Sequence, residues 1–116
     1  MSHTPGPWEV HNLTDVFSPS GGDSGNGVKA DDNDGWLVAD CRCGITFVQG
    51  QETTLDITVQ QDNARLIAAA PKLLEACRWV ANVANGIGRA GRKPEAGEFN
   101  AALAECQAAI AEAEGD

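Results

Sequence analysis

Histidine and basic residues are scarce in this chain, and their scarcity removes whole classes of function. The two imidazoles, His3 and His11, stand in no nucleophile motif and at no metal-ligand spacing such as H-x-x-x-H. Ser20 and Ser24 lie in a Gly/Ser-rich stretch too loose to hold a triad to the tolerance that catalysis needs. The many carboxylates follow no periodicity that would face two of them as acid and base. The sequence therefore predicts no catalytic residues, no metal, no cofactor, and a protein that is not an enzyme.

Eight Lys and Arg against seventeen Asp and Glu leave a net charge of -9, which opposes direct binding to DNA phosphates. No apolar run approaches a bilayer span, and MSHTPGPWEV has no cationic start followed by an apolar run. A soluble, intracellular protein with no membrane partner is expected. Cys41 and Cys43 form a C-x-C pair, while Cys77 and Cys106 fall singly inside predicted helices. Reduced, partly buried thiols are expected in place of a zinc site. The run Asp31, Asp32, Asn33, Asp34, Gly35 fails as a calcium loop, because Ala30 and Cys41 fall where ligands are required.

What is present suits one domain over residues 1–116. Pro5 and Pro7 bracket Gly6 and deliver Trp8 to a first strand, in which Trp8 and Val10 alternate with Glu9 and His11. Ser18–Gly27 has no apolar residue and reads as a flexible loop. Val28–Ala30 and Trp36–Asp40 flank an Asp34-Gly35 type I′ turn signal, predicting a hairpin. Ile45–Val48 is a further β-prone run, and Leu55, Ile57 and Val59 alternate with polar neighbours in another.

Asp62 or Asn63 can cap a first helix, and Leu66, Ala70, Leu73, Cys77, Val80 and Ala84 recur at steps of four and three as one buried stripe. Pro71 interrupts it, so the 62–84 helix is expected as two segments, near 62–70 and 71–84, on a shared axis or a small bend. Asn85, Gly86 and Gly88 stop it. A last helix over 95–114 follows Pro94 and buries Phe99, Leu103, Cys106 and Ile110. The expected architecture is α+β: a small antiparallel sheet of about 4–5 strands within a β-rich part, residues 1–60, followed by two antiparallel C-terminal helices packed on one sheet face. Abundant alanine permits close helix approach, and any apolar stripe left uncovered would favour a homo-oligomer.

Three sets of residues are candidates for ligand binding. Arg89, Arg92 and Lys93 in NGIGRAGRK read first as a solvated interhelical loop, and second as a phosphate-binding loop, though neither the P-loop nor the dinucleotide fingerprint is matched. Asn63 and Arg65 fall near the start of the predicted first helix, where an anion would gain from free N–H groups. Trp8 or Trp36, if brought there, would stack a base; otherwise Asn63 caps, Arg65 pairs with an acid and the tryptophans fill the core. Trp79, on the flank of the stripe, suits either a helix-sheet seam or a subunit contact.

HTPGPWEV at the N-terminus and NARLIAAAPKLLE at Asn63–Glu75 together resemble a family of small accessory proteins of tailed phages and prophages, whose members open with HTPGPW and carry an NARLIAAAP-LLEA helix. The likeness extends more loosely to Ala108–Gly115. It implies a phage or prophage accessory protein acting in the host bacterial cytoplasm, with no enzymatic activity tied to the motifs. The order of a sheet followed by two helices is also similar to that of the anti-Thoeris nucleotide sponges. The resulting expectation is a counter-defence protein that sequesters a nucleotide immune signal, a cyclic nucleotide or other phosphate-bearing small molecule, as an oligomer. The alternative is an acidic, anti-CRISPR-like inhibitor that presents Asp31, Asp32 and Asp34 to a basic groove of a host defence complex.

Overall fold

A computed structural model describes residues 3–42, 44–88 and 93–115. Strands β1 (Glu9–His11), β2 (Asp15–Phe17) and β3 (Leu37–Asp40) form an antiparallel sheet in the order β1-β2-β3. Val16, on the central strand and paired with Val10 and Ala39, is fully buried. Strands β4 (Ile45–Val48) and β5 (Gln51–Thr54) form a separate hairpin, so the strands divide between two small sheets, and β2 and β5 lie where no strand was expected. Helices α1 (Ile57–Ala68), α2 (Ala70–Ala84) and α3 (Glu98–Glu114) complete an α+β fold.

The type I′ turn occurs at Gln49-Gly50, where φ is 52° and 80°, and not at Asp34-Gly35. Glycine supplies one positive φ without strain, and the Val48–Gln51 pair closes the ladder on either side. Val28–Ala30 forms no strand with Trp36–Asp40. It turns back on the preceding loop, where Ser24 N–H donates to Val28 O at 2.8 Å and Ala30 N–H to Gly22 O at 3.0 Å. The Ser18–Gly27 segment is tied by local and distant polar contacts: the Asp23 carboxylate accepts from Gly25 N–H at 2.7 Å, and Trp36 Nε1–H donates to Gly22 O at 3.1 Å.

The alternating stretch Leu55–Gln60 begins a helix, not a strand. Asp56 accepts from Thr58 N–H at 2.8 Å and from the Thr58 hydroxyl at 2.6 Å, and these bonds hold its carboxyl below the ordinary range. A capped first turn outweighs a period-2 pattern, and the inward Gln60 is satisfied by Leu55 O at 2.9 Å. The break at Pro71 occurs as its missing N–H requires, but across the single residue Ala69, which stays in the right-handed helical region (φ -80°, ψ -9°). Leu73 N–H donates to Ala69 O at 3.0 Å, so the chain resumes helical bonding at once.

Lys72 to Glu112 at 2.9 Å, and Trp79 Nε1–H to Glu98 at 3.2 Å, join opposite ends of α2 and α3 and make them antiparallel. This pair does not rest on the sheet. Among the described residues only α1 covers the three-stranded sheet, while α3 packs on α1 and α2. Among the described residues the buried hydrophobic ones are Val16 and five alanines: Ala64, Ala69, Ala76, Ala102 and Ala109. The helices are thus rotated relative to the expected stripe: Leu66 is 54 % exposed, Cys77 is exposed, and Phe99, Leu103 and Ile110 are 46, 37 and 43 % exposed. Alanine at the contacts lets helix axes approach closely, and the larger side chains are displaced outward. With extents of 56 × 38 × 24 Å the molecule is elongated, and its radius of gyration of 17.6 Å exceeds the value of about 13 Å for a compact chain near this length.

Candidate functional site

The N-terminal lead-in and the helix break meet in space. The lead-in bends at Gly6, between Pro5 and Pro7, and Gly6 approaches Pro71 so closely that a Cβ on Gly6 would lie 2.6 Å from Pro71 Cβ. The lead-in is held by Thr4, whose hydroxyl donates to Ser24 O at 2.6 Å and whose carbonyl accepts from Trp8 Nε1–H at 3.2 Å. A groove of about 440 Å³ results, lined by His3, Pro5, Gly6 and Pro7 on one side and by Pro71, Lys72, Leu74, Glu75 and Arg78 on the other. Its walls combine proline and leucine surface with two cations and one carboxylate. Lys72 is already engaged by Glu112.

The other expected site residues do not converge on this groove. Arg65 lies in the last turn of α1, not near its positive end, because the helix starts at Ile57. It pairs with Asp62 at 2.9 Å, and its guanidinium reaches Gly115 at the end of α3, where a cation offsets the partial negative charge of a helix C-terminus. Asn63 caps nothing; it lines a shallow cavity with Asp40, Cys41, Leu55, Leu66 and Ile67, whereas Arg65 lines another with Val10, Asn12, Leu13 and Gln61. Trp8 and Trp36 are half-buried, each donating its indole N–H to a backbone carbonyl, and neither lines either cavity. Lys93 is exposed, and Arg89 and Arg92 lie outside the described residues. Trp79 joins α2 to α3, a helix-helix seam.

Sequence reasoning missed an acidic pair where β2 begins and β3 ends. Asp15 pairs in register with Asp40, and Arg42 lies 2.9 Å from Asp40 and 3.9 Å from Asp15. The Arg42 hydrogen bonds hold the Asp40 carboxyl down to about 2 from the ordinary 3.8. Burial, with Asp40 and Asp15 nearby, pushes the Cys41 thiol up, which disfavours the reactive thiolate. Only strand register brings residues 15 and 40 together, so no local signal revealed them. Among the described residues, no three His, Cys, Asp or Glu side chains are grouped as a metal would require.

Across its whole length, residues 1–116, the chain matches the family model described as Salmonella phage P22 protein Y8K6. It belongs to that phage protein family. Neither the curated proteins nor the solved structures gave a significant match. Membership in the family agrees with a small phage protein, and no helix among the described residues is long and apolar enough to cross a membrane.

Proposed function

We propose that this member of the phage family is a non-enzymatic accessory protein of the host cytoplasm that acts by binding as a homo-oligomer, and that its role is counter-defence through inhibition of a host protein complex. The observation that carries the binding reading is the distribution of apolar surface. Sixteen large hydrophobic side chains among the described residues are exposed, from Val10 to Ile110, while the core is nearly all alanine. At roughly half of about 100 Å² each they offer on the order of 800 Å² of apolar surface, spread over the strands, the loops and the three helices. The exposed turn carrying Asp31, Asp32 and Asp34 adds the acidic face suited to a basic groove.

A second reading, sequestration of a cyclic nucleotide or other phosphate-bearing small molecule, is supported by the groove lined by His3, Lys72 and Arg78. Lys72 and Arg78 bring two cations together in a chain of net charge -9. Native mass spectrometry of the protein isolated from infected host cells separates the two. The first reading expects an oligomer carrying a host protein that is released by salt and lost when Asp31, Asp32 and Asp34 are changed to Asn. A retained nucleotide that disappears in a Lys72→Ala, Arg78→Ala variant selects the second. A monomer carrying neither overturns both.

A further inference from the structure

We infer that α3 pairs antiparallel with the α3 of a second copy of this chain through the row Phe99, Leu103, Cys106 and Ile110. This proposal rests on the oligomeric reading above and names the surface that makes the oligomer. Phe99, Leu103 and Ile110 are 46, 37 and 43 % exposed and Cys106 is half-buried, so the row borders the internal packing without being covered by it. Its steps of four, three and four follow the seam of a coiled coil, in which each side chain enters a hole on a facing helix.

Two observations point to a second copy as the occupant. The spacing reads the same in both directions: a two-fold axis near the middle of the row sets Phe99 against Ile110 of the other copy and Leu103 against Cys106. An isologous contact needs that self-complementarity. Charge gives the second argument. A surface of this acidic protein can meet itself only where acids are absent, and α3 turns Glu98 to Trp79 and Glu112 to Lys72 on the α2 side. At helical spacing, Asn100, Ala104, Gln107 and Ala111 border the row on its outer flank, so like charges do not oppose approach until Glu114 at the end. Ala104 and Ala111 also leave room for the helix axes to come close.

The test is sedimentation equilibrium of the full chain at micromolar concentration, with circular dichroism to confirm folding. Wild type is expected to be dimeric or a multiple of a dimer. Leu103→Glu is expected to raise the dissociation constant at least tenfold at unchanged helicity, whereas Phe47→Glu on the distant β4–β5 hairpin leaves association intact. A Leu103→Cys variant treated with a thiol oxidant should yield a disulfide-linked peptide that joins position 103 of one copy to Cys106 of the other. A monomeric wild type overturns both this seam and the oligomeric reading. A wild-type oligomer that is indifferent to Leu103→Glu and gives no such peptide overturns the seam alone.

Discussion

The β1–β2–β3 sheet and the β4–β5 hairpin are built from strands of three or four residues, yet only the first has a helix packed on it. Helix α1 lies against the sheet and takes Val16 fully out of water; among the described residues no other element packs on the hairpin, whose Ile45, Phe47 and Val48 are 59, 70 and 52 % exposed. A two-stranded hairpin alone is marginally stable in water, because its ladder returns little beyond what ordering the chain costs. The hairpin of this chain is held by its I′ turn and by the Leu55–Gly44 backbone bond at 2.7 Å, the sheet by burial. Short strands of similar β propensity thus have different stabilities for a tertiary reason.

That contrast can be broken most forcefully at Val16. Replacing it by Ala leaves a void under α1 and should cost about 2 kcal/mol of global stability, measured by urea unfolding. A loss below about 0.5 kcal/mol would mean that α1 does not hold the sheet as described. Gly50→Ala sharpens the other side. With φ at 80° and nothing within 4 Å of the added Cβ, only left-handed strain is introduced, about 1 kcal/mol. Amide exchange across Ile45–Thr54 should quicken while the global unfolding midpoint stays put, and a shifted midpoint would show that the hairpin is coupled to the core after all.

The smallest effect belongs to Arg42, which joins the start of β2 to the end of β3. Because its bonds depress the Asp40 pKa to about 2, they add stability above the ordinary 3.8 that disappears as pH falls through that window. In Arg42→Ala the guanidinium is lost while the backbone N–H bond at 3.0 Å remains, so an NMR titration should find the Asp40 carboxyl raised from about 2 toward the ordinary 3.8 and the acid limb of the stability profile flattened. An Asp40 pKa that stays near 2 would assign the depression to something other than the Arg42 side chain.

Several of these features were legible before folding. Pro71 announced the helix break, since a missing N–H acts locally, and the repeated steps of three and four announced helices on both sides of the glycine-rich connector. Asp56 was legible in principle as a cap, but the alternation Leu55, Ile57, Val59 suggested a strand; one side-chain bond to Thr58 reversed it. The candidate site was less legible. Asn63 and Arg65 are neighbours in sequence yet line different cavities, because α1 begins six residues before Asn63 and carries the two side chains to different faces.

Local chemistry alone determined that Pro71 breaks one helix and the Asn85-Gly86 signal stops it, how many acids the surface must carry, and that helices follow strands. Which side of each helix faces inward was decided only by packing. Both the alanines and the larger apolar residues recur at helical spacing, and nothing local ranks one row above the other. Close approach of α1, α2 and α3 admits Ala64, Ala76, Ala102 and Ala109 and leaves Leu66, Phe99, Leu103 and Ile110 at the surface. The same distinction separates Gly6 and Pro71, each readable by itself, from the groove that exists only because the fold presses them together.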